Sequence, residues 1–419
     1  MYSAIHQCRI CGNKNLVKVL DLGEQTLTGV FPKHKDQIIT RGPLQLVKCT
    51  GGEDACGLLQ MAHSYDLGEM YGENYGYRSG LNPSMVKHLH DKVTRILSIV
   101  DLSDKPIVLD IGSNDCTTLS AYPADQCTRV GMDPTSDKFR QYHPEGVTAI
   151  SDFFSAHRFN ESFPGSKARV VTSFSMFYDL ERPMDFVQDV ASILDDRGIW
   201  VFEQSYMPLM LERNSYDTAC HEHLEYYGLR QIDWMLRRCG LKIVDLEFND
   251  VNGGSFSVTA AKVDSAYVES QYAKEVLARE VAEGLNGLEP YMAFAQRAEA
   301  SRDELRAFVT TVRAEGLRVA ILGASTKGNV LLQYCGLTEK DVEAVGEVNP
   351  DKFGTFTPGT LLPIVDEREL LTNEPDYLIV LPWHFRDFFI KKYSLKKARL
   401  VFPLPRLEII GSASAKELM

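Results

Sequence analysis

The residues best equipped for chemistry begin with His221-Glu222-His223, two imidazoles and a carboxylate in succession within residues 216–227. An imidazole near its free pKa takes a proton readily at neutral pH, so the run suits a general base. In an extended segment both imidazoles project to one side and the carboxylate to the other. H-E-H is not the helical H-E-x-x-H of zinc hydrolases, which weakens a metal reading. In a structural reading, backbone groups satisfy the histidines. Cys8-Arg-Ile-Cys11 and, far downstream, Cys49 and Cys56 offer two thiol pairs. Four thiolates close a tetrahedral Zn²⁺ site and leave no position for water. Gly51 and Gly52 absorb the longer second spacing, and the short strands expected around it hardly bury a core alone, so the metal is structural.

A third cluster opens where the apolar run 106–111 meets Asp110-Ile-Gly-Ser-Asn-Asp115. Gly112 lets the backbone approach a ligand closely. A second apolar run ends on Asp133, about twenty residues on, where nucleotide-binding units place an acceptor for ribose hydroxyls. There is no G-x-G-x-x-G and no P-loop Lys, and Asp110 favours a cation over phosphates. S-adenosylmethionine, with a ribose, a sulfonium and no phosphate, fits Asp110, Gly112, Ser113, Asn114 and Asp133. Asp152 and Phe153 are placed to meet an adenine edge and face, and Ser173 ends the next buried-type strand. A second strand-turn-helix, residues 317–328, carries Ser325, Thr326 and Lys327 at a helix start, which suits an anion such as a pyrophosphate. The bland alternative is a lysine on a solvated first turn.

The elements that must position these groups read in order. A helix spans 83–100, with apolar Met85, Leu89, Val93, Ile96 and Val100 at helical spacing. Strands and helices then alternate, with strands at 147–150, 169–173 and 198–204 and helices from Pro183 and over 229–238. Two closing strands, 241–248 and 254–263, complete the layout of a class I methyltransferase. Residues 265–315 are charged and helical in period. Strands at 342–348, 376–380 and 399–402 make a last α/β unit. The expected division is 1–80 zinc-binding, 81–264 Rossmann-like, 265–316 helical connector and 317–419 Rossmann-like α/β. Residues 65–79 are rich in Gly and aromatics, and Tyr71, Tyr75 and Tyr77 there either close over a ligand or pack between domains.

At 419 residues, the chain exceeds one ordinary core. A net charge of −12 argues against nucleic acid and anionic membranes as partners. No apolar run is long enough to span a bilayer and residues 1–6 lack a signal-peptide core. With nine cysteines, an odd number, the thiols are expected to be reduced and the chain cytoplasmic. A monomer is expected.

Taken together, the four cysteines, the aromatic loop, residues 110–115, His221-Glu-His-Leu-Glu-Tyr-Tyr227, Asn252-Gly-Gly-Ser255, residues 323–328 and Asn349-Pro-Asp-Lys-Phe-Gly354 come in one order. Over nearly its full length the chain resembles the sugar C-methyltransferases. The resemblance implies a zinc-binding N-terminal domain, a central S-adenosylmethionine domain and a C-terminal α/β domain that helps hold a nucleotide. It implies methyl transfer to C3 of a 4-keto-6-deoxy sugar carried on dTDP or GDP, in branched deoxysugar biosynthesis. His223 is then the base, aided by His221 and Glu222. Tyr75, Tyr77 or Asn252 are enolate donors, and Ser325, Thr326, Lys327, Asn349 and Lys352 bind the substrate. Two departures bear on the sugar pocket. Cys220 stands where relatives often carry Tyr, and Tyr178 stands in a segment where some carry His. The competing activities are O- or N-methylation of another small metabolite, a zinc-knuckle adaptor, and a nicotinamide-dependent sugar oxidoreductase.

Overall fold

The computed structural model describes residues 2–52, 54–71, 78–394 and 397–411. A seven-stranded sheet forms the centre, in the order Leu241–Asn249, Ser255–Lys262, Leu194–Ser205, Ala168–Phe174, Ile107–Ile111, Thr128–Met132, Thr148–Ile150. Ser255–Lys262 runs antiparallel to both of its neighbours, and the other six strands share one direction. Val108, Leu109, Val170, Val171, Ile199 and Trp200 are fully buried, as parallel strands covered on both faces require. The strand order reverses at Ile107–Ile111, so its carboxyl end opens into the crevice where such sheets bind ligands. Gly112, with φ +72°, makes the turn there.

The six-stranded C-terminal sheet repeats this plan, in the order Ile364–Asp366, Val345–Glu347, Val319–Leu322, Tyr377–Val380, Arg399–Phe402, Glu408–Ile410, with only the last strand antiparallel. Its first strand ends at Gly323, φ +86°, where a Cβ would meet Pro382 Cγ at 2.5 Å. The two outermost strands, three residues each, are additions to the sequence reading. The helical connector is two helices, Gln271–Ala282 and Glu289–Ala314, separated at Gly284 and Gly287.

A four-stranded sheet gathers the N-terminal region, in the order Leu16–Thr26, Arg41–Cys49, Leu59–Met61, Glu225–Tyr226. Its last strand belongs to the H-E-H segment, pairing Glu225 with Gln60 and Tyr226 with Leu59. One buried cluster joins the cysteine knuckles to the central sheet through Tyr227, Leu229 and Phe177. Another joins Leu44, Leu46 and Met61 to the connector and the C-terminal sheet. The N-terminal region therefore shares a core with both α/β units.

Candidate active site

A cavity of about 300 Å³ opens at the carboxyl end of Ile107–Ile111. Asp110, Gly112, Ser113, Asn114, Asp133 and Phe153 all line it. Burial pushes the Asp110 carboxyl up to about 7, although Thr172 Oγ1 donates to Asp110 Oδ1 at 2.6 Å. Ser113 Oγ is buried with no partner among the described residues. Asp133 accepts Thr135 N and Oγ1 on Oδ1, at 2.6 and 2.5 Å, and Asn114 N on Oδ2 at 2.9 Å. A carboxylate has about four acceptor sites, so Asp133 has room for one further donor rather than a pair of ribose hydroxyls.

Asp152 and Ser173 do not line this cavity. Asp152 pairs with Arg158 at 2.7 Å, and Ser173 Oγ accepts the buried Trp200 Nε1 at 3.0 Å. His88, absent from the sequence reading, and Glu203, read there only as the end of a strand, do line it, with His88 Nε2 2.6 Å from Glu203 Oε1. Burial alone would raise Glu203, but the His88 hydrogen bond and the Lys92 charge outweigh it and hold the carboxyl below its usual range. His88 lies one position before Leu89 on the amphipathic helix Pro83–Ile99, a placement that periodicity alone does not mark as functional.

The H-E-H segment is a turn, not an extended strand, because His223 N donates back to Cys220 O at 3.1 Å. The three side chains accordingly face three surroundings. His221 is fully buried, edge-on to Tyr65 with ring centroids 4.6 Å apart, and its Nδ1 is 3.4 Å from Thr28 Oγ1. Burial drops its pKa to about 3. Thr28 Oγ1 also reaches Glu222 Oε2 at 3.5 Å, and burial raises the Glu222 carboxyl. A Cβ on Gly29 would run into Glu222 Oε1, so only glycine fits beside that carboxylate as it stands.

His223 Nδ1 lies 3.0 Å from the Thr218 carbonyl. A carbonyl oxygen only accepts, so Nδ1 carries the proton and Nε2 keeps its lone pair. Burial first, and the Lys327 charge second, lower His223 to about 4. Its ring packs on Tyr178 at 4.5 Å, and Leu224 N donates to Tyr178 O at 2.8 Å. The next residues, Asp179, Leu180 and Glu181, belong to the cavity wall. His223 thus packs on the residue that leads into this wall, although His221, Glu222 and His223 do not themselves line the cavity.

The C-terminal turn arrives at the same place. Ser325 Oγ caps the helix Thr326–Cys335 by accepting Gly328 N at 3.1 Å. Thr326 Oγ1 stands 3.6 Å from the position of a Cβ on Gly29. Lys327 Nζ donates to Asn252 O at 2.9 Å, and its charge acts on His223, Asp217 and His384. Asn252 sits at φ +56° and offers Lys327 its carbonyl. Asp217, unremarked in the sequence, is buried, accepts Trp383 Nε1 at 2.9 Å and is raised by burial. Asn349 instead caps the turn at Asp351, and Lys352 Nζ donates to Ala324 O at 2.7 Å over the Phe31 ring. Tyr75 and Tyr77 lie outside the described residues.

Cys8, Cys11, Cys49 and Cys56 bring their sulfurs within 4.8 Å of one another, with 3.4 Å between Cys8 and Cys56 and 3.5 Å between Cys11 and Cys49. A tetrahedron with Zn–S bonds of about 2.3 Å has edges of about 3.8 Å, so the quartet fits Zn²⁺ with little adjustment. Asn13 Nδ2 points at Cys49 Sγ from 3.3 Å and supplies the outer hydrogen bond such thiolates use. Gln231 Nε2, from the helix that follows the H-E-H segment, donates to Cys56 O at 3.0 Å.

Three known family models match the chain in succession, the last of them taking in the strand Ser255–Lys262 and both connector helices. A zinc binding domain model matches residues 8–71, a methyltransferase domain model 84–246, and a C-methyltransferase C-terminal domain model 250–405. By domain content the chain is a C-methyltransferase. It uses S-adenosylmethionine, and its central unit has the class I fold. The C-methyltransferase NovU of Streptomyces niveus is 28% identical over 416 residues, which cover 98% of each chain. Among solved structures, an O-methyltransferase family protein of Burkholderia thailandensis overlaps 44% of this chain and 59% of its own, at 16% identity and TM-score 0.34. The CcbJ methyltransferase of Streptomyces caelestis overlaps 42% of this chain and 89% of its own, at 13% identity and TM-score 0.33. No helix among the described residues is long and apolar enough to cross a membrane.

Proposed function

We propose that this C-methyltransferase adds a methyl group to C3 of a nucleotide-linked 4-keto-6-deoxy sugar, with His223 as the base. The observation that carries the reading is the His223 tautomer: Nδ1 is committed to Thr218 O, and Nε2 is left basic inside a buried turn whose His223 ring packs on Tyr178, the residue before the cavity-wall segment 179–181. A ring carbon is a poor nucleophile until an adjacent ketone acidifies its proton. Removing that proton is the task of a positioned, neutral imidazole, worth typically about 10²–10⁴-fold. Transfer to oxygen or nitrogen of another metabolite has no need of a base that removes a proton from carbon.

The donor, when bound, supplies an electrophilic methyl on a sulfonium. Asp110 faces its positive charge, Ser113 Oγ offers an unused polar group, and Asp133 has one acceptor site left for a ribose hydroxyl. Phe153 lines the cavity as an adenine platform. Asp152 and Ser173, away from the cavity and engaged with Arg158 and Trp200, take no part in holding the donor. His221 and Glu222, tied together through Thr28, orient the turn that carries His223. Lys327, beside His223, is the cation for the pyrophosphate or for the developing enolate. Asn252 accepts from Lys327, and Ser325 and Thr326 precede it at the helix start, while Asn349 and Lys352 support the turn from behind. The nucleotide is dTDP or GDP, the four cysteines hold a structural Zn²⁺, and residues 1–80, 81–264, 265–316 and 317–419 act as zinc-binding, donor-binding, connecting and nucleotide-sugar-binding parts. The protein acts as a cytoplasmic monomer.

The test is incubation with labelled donor and a panel of dTDP- and GDP-linked 4-keto-6-deoxy sugars. Label at C3 of one of them is expected. Label on oxygen or nitrogen, or in none of the panel, overturns the reading.

A further inference from the structure

Arg9 occupies the turn between Cys8 and Cys11, yet its side chain is only 3% exposed. It leads away from the thiolates into the interior. Its Nη1 donates to Met61 O at 2.6 Å and its Nη2 to His63 O at 3.2 Å and Ser64 Oγ at 2.9 Å. Its Nε faces two carboxylates, Glu181 Oε2 at 3.4 Å and Glu225 Oε1 at 3.7 Å. Ser64 Oγ donates to the same Glu181 oxygen at 2.8 Å.

These two acids belong to different parts of the site. Glu181 lines the donor cavity, in the segment that begins with Tyr178. Glu225 lies two residues after His223, fully buried, in the strand that extends the N-terminal sheet. Burial raises the Glu225 carboxyl strongly, and the Arg9 charge is the first influence opposing it. Tyr226 Oη donates to His223 O at 3.1 Å, so a shift of this strand moves the His223 backbone directly.

We infer that Arg9 is a positioning residue: anchored by the metal knuckle, its guanidinium sets the placement of the His223 turn against the donor cavity by holding Glu225 and Glu181 together. The zinc site then does more than complete a fold. A guanidinium suits this task because its planar fork reaches two carbonyls and two carboxylates at fixed angles, which a lysine ammonium does not reproduce. A buried carboxylate whose cation is removed or misplaced is left uncompensated, and neither Glu225 oxygen has a hydrogen-bond partner among the described residues to take over.

The inference rests on His223 being the base, and the experiment separates the two. Arg9→Lys and wild type are compared for bound zinc, affinity for S-adenosylhomocysteine, and wash-out of the C3 hydrogen of a 4-keto sugar nucleotide into D₂O. Arg9→Lys is expected to keep one zinc per chain and donor affinity within about twofold. Its exchange rate and kcat should fall together by about tenfold or more, with KM little changed. No exchange by wild type overturns the base assignment, and Arg9 with it. Wild-type exchange matched by a zinc-loaded Arg9→Lys overturns the Arg9 inference alone, as does a loss of activity that follows loss of zinc. Should Arg9→Lys not fold, Glu225→Gln removes the other partner; the same selective loss is expected, and undiminished exchange overturns the inference.

Discussion

Replacing His223 by Asn isolates the proton-transfer step. The Asn amide nitrogen can take the place of Nδ1 and keep the 3.0 Å bond to Thr218 O, while the Nε2 lone pair disappears. With a pKa of about 4, only about one molecule in a thousand carries a protonated His223 at pH 7, so the whole population of wild type is competent. The substitution should therefore show the undiluted loss of a general base. That is about 10²–10⁴-fold in kcat, or about 2.7–5.4 kcal/mol at 1.36 kcal/mol per decade. S-adenosylhomocysteine and the sugar nucleotide should still bind. The direct assay is exchange of the C3 hydrogen with D₂O in the presence of S-adenosylhomocysteine, which needs no methyl transfer. His221→Asn should cost less, since His221 faces Tyr65 and Thr28. Because the working form is the neutral imidazole, exchange by wild type should persist above the His223 pKa and fail as pH drops through it. Equal exchange by wild type and His223→Asn would refute the assignment and move the base to Glu222 or to Tyr75 or Tyr77.

Asp133→Ala should weaken S-adenosylhomocysteine binding about ten- to a hundredfold, matching one charge-assisted hydrogen bond of about 1.5–3 kcal/mol, with sugar-nucleotide affinity unchanged. Calorimetry decides it, and unaltered donor affinity removes Asp133 from the ribose. Asp110, raised from 3.8 to about 7, holds a proton in the folded state that the unfolded chain has already lost, so its contribution to stability falls as pH rises from about 4 through 7. A cationic donor favours the ionised form, and binding near pH 6.5 should release up to one proton. A binding enthalpy that does not depend on the ionisation enthalpy of the buffer would contradict this.

What could be read from the chain was what is local. The helix Leu229–Arg238 matches its expected bounds, because Ile232, Met235 and Leu236 mark its buried face and Gly240 its end. The thiol quartet is legible because metal ligands need the right spacing and little else. The composition of the H-E-H segment allows an extended form; the Cys220–His223 turn packs against Thr28, Tyr65 and Tyr178, from three distant segments. The strand Glu225–Tyr226 has two residues and pairs with Leu59–Met61 across more than 160 positions, a contact that no periodicity encodes. The same holds for Arg9, which reads as a knuckle filler, and for Thr28 and Gly29, which read as turn residues. Asp217, Trp383 and His384 gain meaning only once the C-terminal helix brings Lys327 among them.

That placement of Lys327 gives the base a second level of control. Three titratable groups feel its charge: His223, Asp217 and His384. In the free protein Lys327 disfavours a proton on His223, which keeps the imidazole neutral but also makes it a weak base. A pyrophosphate arriving beside Lys327 offsets that charge, and the His223 pKa should climb from about 4 toward the ordinary 6.5, so the base strengthens when its substrate is present. Lys327→Met should produce part of the same rise without any ligand, along with a higher KM for the sugar nucleotide and an unchanged donor affinity. Imidazole resonances of His223, followed by NMR from pH 3 to 8 in free protein, in protein with a nucleoside diphosphate, and in Lys327→Met, give the three values. Burial remains in the variant, so its pKa should stop short of 6.5. Identical titration in all three samples would show that Lys327 does not tune the base, and a loss of donor affinity alone would place it on the other side of the site.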